Sequence, residues 1–457
     1  AGQFGPANDT VTKKLIEAGT LLARGRLEHS YPHSWRSKAP VIYRATPQWF
    51  IRLDEPLDDG RTLRERALAA LDATAFYPAQ AKNRIRSMVE SRPDWLVSRQ
   101  RAWGSPLAMF VDKETGQPLH DDQVNARIEN MIAEEGADAW FVRPPGDFLG
   151  NHDPDRYEKV EDILDVWFDS GSTHAFVLEK RGLPWPADLY LEGSDQHRGW
   201  FHSSLLEAVG TRGRAPFKAV LTHGFVNDEQ GRKMSKSLGN TTAPEQVLAQ
   251  YGADILRLWV MMSDNTEDLR IGPEILKQQA ELYRRLRNTL RWLLGSLDGF
   301  TEAERVAPDA MPELERWVLH RLSELDGRIR AAVETYDWTG VYPELHAFCA
   351  VDLSAFYFDI LKDRLYTAPP RSLRRRSGQT ALYRILDALL RAAAPLLSFT
   401  ADEAWGHMPA ASGREPSVHV AGFVTAADLR QLLPASIDQK MEKWDRLIEV
   451  RNGVLKA

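Results

Sequence analysis

The hydrophobic pattern changes character once along this chain, near Ala253, and that change limits the fold more than any other feature. From Pro93 to about Asp254, short apolar runs alternate with stretches of helical spacing, the pattern of an α/β sheet. Leu96-Val97-Ser98, Asp188-Leu189-Tyr190-Leu191 and Lys218-Ala219-Val220-Leu221 read as strands, and polar motifs follow directly after them. In open parallel sheets, ligands bind beyond the carboxyl ends of the strands, so those motifs are where a site is expected. Residues 1–50 look irregular, and residues ~60–90 look mainly helical.

After Ala253 only helical stripes remain. Leu282, Leu286, Leu290 and Leu293 form one; Val318, Leu322, Leu325 and Ile329 a second. Leu353, Phe356, Tyr357 and Ile360 form a third, and Leu382, Ile385, Leu386 and Leu389 a fourth. Proline-bearing loop signals separate them, so the last part reads as a helical bundle. At 457 residues, roughly three domains are expected.

Composition matters mainly for what it excludes. No apolar run is long enough to span a bilayer, and no signal peptide opens the sequence. A single cysteine, Cys349, rules out an internal disulfide or a cysteine-cluster zinc site within these residues, and a reducing cytoplasmic setting fits it. The net charge of −6 argues against a wholly basic module, although nucleic-acid binding follows local patches rather than the sum.

Two strings carry chemistry. Gly231-Arg232-Lys233-Met234-Ser235-Lys236-Ser237-Leu238-Gly239-Asn240 sets two lysines three apart in a glycine-bounded loop. Such a loop lets ammonium groups close over a polyphosphate, where fixed cations meet the charge that develops on a departing pyrophosphate. A lysine pair alone is more often a solvated loop; the ten-residue context lifts it above that. Tyr190-Leu191-Glu192-Gly193-Ser194-Asp195-Gln196-His197-Arg198-Gly199-Trp200-Phe201 starts at a strand end and runs into a helix. Gly193 permits close backbone approach, and Asp195 can accept hydrogen bonds from a ribose diol, although a strand-end acid more often caps a helix.

With Leu221-Thr222-His223-Gly224-Phe225, these strings resemble the class I aminoacyl-tRNA synthetases. Residues 192–201, with Asp165-Val166-Trp167-Phe168-Asp169-Ser170-Gly171-Ser172 and Arg92-Pro93-Asp94-Trp95, narrow the resemblance to the isoleucine enzymes. His29-Ser30-Tyr31-Pro32, Trp35-Arg36 and Arg44-Ala45-Thr46-Pro47-Gln48-Trp49-Phe50 are similar to the family further upstream. The valine and leucine enzymes share the lysine loop and differ in residues 192–201.

The resemblance implies an α/β fold: the second half of a Rossmann-like catalytic domain followed by an α-helical bundle. Residues 1–48 would be the trailing part of an editing insertion and 49–265 the carboxyl-terminal half of the catalytic domain. Residues 266–310 would be stem-contact or linker helices, and 311–457 an anticodon-binding domain. Isoleucine would be activated with magnesium–ATP and passed to tRNA, with misactivated valine hydrolysed in the inserted domain.

By the same resemblance, Lys236 would stabilise the leaving pyrophosphate with support from Lys233, and Glu192 would bind the adenylate. Gly193, Asp195 and Gln196 would line the ribose and amino-acid side, His223 and Gly224 the adenosine side. Trp167 and Trp200 would wall the side-chain pocket. Neither the family's first ATP motif (His-x-Gly-His) nor its zinc segment is found in these residues, so the chain is expected to be a piece of the enzyme, inactive alone, holding no metal ligands. The expected whole is cytoplasmic and monomeric. A non-catalytic tRNA-binding relative is the alternative from another class. Arg284, Arg287 and Arg291, and the cluster Arg371, Arg374, Arg375 and Arg376, are candidate phosphate contacts.

Overall fold

The computed structural model describes residues 7–25, 27–34, 37–43, 45–424, 426–431, 433 and 437–456. Trp35, Arg36 and Arg44 of the upstream strings lie outside the described residues. The chain divides into two compact units, Ala1–Glu55 with Pro93–Asp169, and Pro56–Arg92 with Ser170–Ala457.

The first unit opens on a helix, Ala7–Glu17, in a region whose sequence looked irregular. Its face never enters a core, since none of its residues is buried, and that leaves a weak apolar signal. The unit's β-structure consists of short antiparallel pairings: Phe50–Ile51 with Trp95–Leu96, Ser98–Arg99 with Ile163–Leu164, and Phe110–Asp112 with Tyr157–Lys159. A small core of Phe110, Val124, Ile128, Trp140, Phe148, Leu149 and Tyr157 closes around them. The expected strand Leu96-Val97-Ser98 therefore does not join a parallel sheet. It is divided at Val97, whose N–H bonds Trp49 O (3.0 Å) while its carbonyl accepts from Asp165 N (2.7 Å). A run this short has no period by which to tell a ribbon from a buried strand.

The second unit holds the parallel sheet: β1 (Ala75–Tyr77), β2 (Ala187–Gly193) and β3 (Phe217–His223), with β3 central. β3 is buried along nearly its whole length, as a parallel strand covered on both faces must be. β1 was hidden in a region that reads as helical because three residues between two helices show no alternation. Helix α1 (Leu63–Asp72) precedes β1, with a Thr62–Glu65 capping box. Helix α2 (Trp200–Arg212) makes the crossover from β2 to β3 and is buried from Phe201 through Val209. The enclosed stretch includes His202, Ser203, Ser204 and Glu207, so this crossover helix is buried together with its polar side chains.

Beyond the sheet, a two-residue parallel pairing of β4 (Val226–Asn227) with β5 (Leu269–Arg270) places a strand after Ala253, where only helices were expected. The remainder is helical: α3 (Ala253–Met262), α4 (Pro273–Ser296), α5 (Glu313–Glu334), α6 (Phe358–Tyr366), α7 (Leu373–Ala393), α8 (Ser398–Gly406) and α9 (Ile437–Lys456). The second and fourth stripes are wholly buried, as is the first apart from half-buried Leu282. The third stripe breaks. Residues Phe348–Tyr357 form a π-helix, and the wider turn shifts the buried face by one residue. Ile360 is thereby 38% exposed, and Leu361 takes the core position at 0%.

The basic clusters also resolve differently from their sequence appearance. Arg376 is ion-paired to Glu304 and Arg375 donates to Ala368 O, so only Arg371 and Arg374 of that cluster face solvent. Arg284 pairs with Glu281 on its own helix, while Arg287 and Arg291 line a cavity of about 340 Å³ with Glu403 and His407. Cys349 is buried in the helical core as a free thiol, its pKa pushed up to about 12 by burial.

Candidate active site

β2 and β3 end side by side, with Gly193 paired to His223. A methyl group on Gly193 would lie 2.6 Å from Asp195 Oδ1, so a glycine here is what allows the carboxylate to fold back over the strand end. The turn Ser194–His197 then leads into α2. Asp195 does not cap that helix. Gln196 does: its Oε1 accepts from Trp200 N (3.0 Å), and its Nε2 donates to Asp195 Oδ2 (3.3 Å). Asp195 is thus held by one amide at an exposed rim, with oxygen lone pairs still open to a ligand. Glu192, one residue earlier on β2, is exposed and has no ion-pair partner among the described residues.

Trp200 lies flat on Tyr190, with ring centroids 4.2 Å apart and planes within 6°, and its Nε1–H donates to Ser170 O (2.9 Å). One indole face and the N–H are therefore fixed, and the half-buried remainder is a rigid apolar surface. Burial raises the Tyr190 phenol pKa, which keeps this platform neutral. Trp167 belongs to the first unit, in helix Val166–Gly171, where it is 41% exposed and its backbone N–H donates to Asp165 Oδ1 (3.4 Å).

At the end of β3, His223 Nδ1 and Gly224 O are 2.8 Å apart. Gly224 lies hard against the loop before β5: its N–H donates to Asn265 O (3.1 Å), and a Cβ would meet Glu267 O at 2.2 Å. Phe225 N–H donates to Asp268 Oδ1 (2.8 Å), so two consecutive backbone units are fastened to this loop.

The lysine string forms a loop after β4. Asp228-Glu229-Gln230-Gly231 is a β-turn closed by Gly231 N–H to Asp228 O (2.9 Å). The ammonium groups of Lys233 and Lys236 have no carboxylate partner among the described residues, and both residues are exposed. Two supporting residues were not singled out from the sequence. Tyr190 stands at the head of its string, and Asp228 lies just upstream of its loop. Asp228 has a local signature, since aspartate opening and glycine closing a four-residue turn is a common pairing. Tyr190 has none, because a core tyrosine and a stacking platform look the same in sequence. Among the described residues no cluster of three or more His, Cys, Asp or Glu could hold a metal ion.

Comparison with known proteins gives this geometry a family. The model for tRNA synthetases class I (I, L, M and V) matches residues 11–272, and that for the anticodon-binding domain of tRNA ligase matches 315–456. The chain is 63% identical over 408 residues to an isoleucine–tRNA ligase of Caulobacter vibrioides, covering 88% of this chain and 42% of that protein. It is 53% identical over 463 residues to one from Mesorhizobium japonicum, covering 100% and 45%. The chain thus spans under half the length of these curated relatives. In fold it is similar to the methionyl-tRNA synthetase of Mycobacterium tuberculosis with methionyl-adenylate (TM-score 0.57, 18% identity, 83% of this chain and 66% of that one). It is similar too to the LeuRS–tRNA–LeuAMS complex of Agrobacterium radiobacter K84 (TM-score 0.55, 20% identity, 79% and 46%). A parallel sheet with polar strings at its strand ends, followed by helices, and a family match over more than half of the 457 residues lead to one conclusion: the chain belongs to the class I tRNA synthetases of the isoleucine, leucine, methionine and valine group.

Proposed function

We propose that the protein containing this chain joins isoleucine to its tRNA through isoleucyl-adenylate. In the first step an isoleucine carboxylate oxygen attacks the α-phosphorus of magnesium–ATP. The bond from that phosphorus to the bridging oxygen breaks, and the electron pair leaves with pyrophosphate. In the second step a ribose hydroxyl of the terminal tRNA adenosine attacks the acyl carbon, and AMP departs. Stabilisation that strengthens only as charge develops on the leaving group accelerates the first step most, and that is the work assigned to Lys236, with Lys233 beside it.

Glu192 would hold the amino acid's ammonium group, and Asp195 and Gln196 the ribose hydroxyls and amino-acid edge. Gly193, Gly224 and His223 would give the nucleotide a close backbone approach. Trp200, immobilised on Tyr190, would form one apolar wall of the side-chain pocket. Residues 49–265 would be the catalytic half, 266–310 the stem-contact helices and 311–457 the anticodon-binding domain, with 1–48 the tail of an editing insertion. Misactivated valine would be removed there, because one methylene is worth only about 1–3 kcal/mol in an apolar pocket, a range that itself comes from isoleucine enzymes.

The observation that carries this reading is the pairing of Gly193 with His223 at the carboxyl ends of adjacent parallel strands, with the Glu192 and Asp195 carboxylates at that rim. The test is ATP–pyrophosphate exchange by the full-length protein with isoleucine, valine and leucine in turn. Exchange fastest with isoleucine, falling roughly 10²–10³-fold in Lys236→Ala, is the expected result. Preference for valine or leucine would reassign the substrate, and no exchange at all would leave the non-catalytic tRNA-binding alternative.

A further inference from the structure

The lysine loop is braced by side chains that play no part in the chemistry above. Asp228 is only 6% exposed, and its carboxylate is saturated with donors. Oδ1 accepts from the N–H groups of Gln230 (3.1 Å) and Arg232 (2.8 Å). Oδ2 accepts from Arg232 Nε (2.8 Å) and Asn240 Nδ2 (2.9 Å). Asn240, at the far end of the loop, uses both ends of its amide. Nδ2 also donates to Lys233 O (3.2 Å), and Oδ1 accepts from Ser235 N–H (2.9 Å). A β-bridge between Asn227 and Lys233 adds a third fastening on the same side.

These bonds divide the two lysines. Lys233 is tied through its own carbonyl, through the N–H two residues on, and through the bridge to Asn227. Around Lys236 the contacts are local: Gly239 N–H to Lys236 O (3.3 Å), Leu238 N–H to Ser235 Oγ (3.3 Å), and the Ser235 and Ser237 hydroxyls 3.2 Å apart. The loop therefore has a fixed stem and a short tip, with Gly239 (φ +64°) closing the tip. Only an amide of asparagine length supplies a donor to residues 228 and 233 and an acceptor to residue 235 at once.

We propose that Asp228 and Asn240 are positioning residues, a clasp that fixes the Lys233 stem so that only the Lys236 tip moves onto the ATP phosphates. This rests on the adenylate-forming reading of the site and adds which part of the loop moves and what restrains the rest. A tip on a fixed stem confines the search of the Lys236 ammonium to a small volume. A loop freed at both ends loses that orientation, which lowers turnover rather than amino-acid binding.

The test uses the full-length protein with Asn240→Ala, Asp228→Asn and the double variant that carries both. Pyrophosphate exchange gives kcat and the KM values for ATP and isoleucine, and trypsin gives the relative rates of cleavage after Lys233 and Lys236. In the unsubstituted protein, cleavage after Lys236 should run well ahead of cleavage after Lys233. Asn240→Ala should remove that difference and lower kcat about 10–100-fold, as expected for losing hydrogen bonds to a charged group, with the isoleucine KM unchanged. Because the two side chains act through one bond network, the double variant should lose no more than the worse single variant.

The proposal is overturned if Asn240→Ala keeps the normal kcat and cleavage pattern. It is overturned equally if the isoleucine KM rises in step with a fall in Tm, or if the losses of the two single variants simply add in the double variant. Should the unsubstituted protein fail to exchange pyrophosphate with isoleucine, the adenylate reading falls by itself, and the cleavage ratio alone decides whether the clasp exists.

Discussion

Replacing Gly224 by alanine tests how closely the end of β3 must approach the neighbouring loop. An added Cβ would stand 2.2 Å from Glu267 O, 2.5 Å from Glu267 C and 2.7 Å from Asp268 N, all backbone atoms that cannot rotate aside. Ordinary contact begins near 3.4 Å, so strand end and loop must separate by about 1.2 Å (3.4 less 2.2). The loop cannot simply swing out, because Gly224 N–H to Asn265 O and Phe225 N–H to Asp268 Oδ1 hold it on either side of the clash. Overpacking of this kind costs about 1–3 kcal/mol of stability. A displacement of about 1 Å in a substrate-positioning element costs about 10²-fold in rate. Gly224→Ala in the full-length protein should therefore lose roughly 10²-fold in kcat/KM for ATP in pyrophosphate exchange, with a small fall in Tm. Gly295→Ala is the control: it lies within α4 with nothing within 4 Å of its Cβ, and should be neutral or stabilising by up to about 1 kcal/mol. Activity of Gly224→Ala within about threefold of the unsubstituted protein would refute the reasoning, since the close approach would then have no functional consequence.

Two further predictions concern stability. Glu315 is fully buried and paired with Arg364 at 2.5 Å; burial pushes its carboxyl pKa up against the pull of the guanidinium. Arg364→Met strands the carboxylate and should cost about 3–5 kcal/mol in denaturant unfolding at neutral pH, whereas Glu315→Gln leaves an arginine that still reaches water and should cost far less. A raised carboxyl pKa means that the folded state gains as pH falls through it, so the Arg364→Met deficit should shrink on acidification; equal deficits in the two variants at every pH would sink the argument. His202, 2% exposed within α2, has its pKa pushed down from 6.5 to about 3, by burial first and then by nearby Arg92, Arg198 and Arg64. A depressed base contributes stability that is intact above pH 6.5 and drains away below it as the unfolded chain takes up the proton. By about pH 5 that loss should reach about 2 kcal/mol, and His202→Leu should abolish this part of the acid sensitivity in pH-dependent melts.

The legibility of the fold followed the length and regularity of each element. α5 and α7 span six and nearly six helical turns, and every residue of their stripes is buried. β2 and β3, seven residues each, were found at their cores. β1, β4 and β5, at three and two residues, have no period to read. The third helical stripe was right up to Tyr357 and wrong at Ile360, because a π-turn changes the phase without changing composition. At the site, the strings located the two strand ends and the lysine loop. They did not reveal that Gln196 rather than Asp195 would take the helix N–H, since either side chain reaches it and only the path of the turn selects one.

What the sequence determined alone is the local chemistry: which strand ends carry acids, where two lysines share a loop, and where apolar stripes demand a helical core. Those properties depend on neighbours a few residues away, and are written in spacing. What only the tertiary structure decided are the partnerships across long separations. Helix α8 begins at a leucine cap that offers no acceptor, and Asp254, nearly a hundred and fifty positions earlier, accepts from Phe399 N–H (3.2 Å) and Thr400 N–H (2.8 Å) in its place. Gly224 meets Glu267 for the same reason. Such contacts exist only once the backbone has brought the two segments within a few ångströms, and buried donors must find acceptors wherever packing has put them.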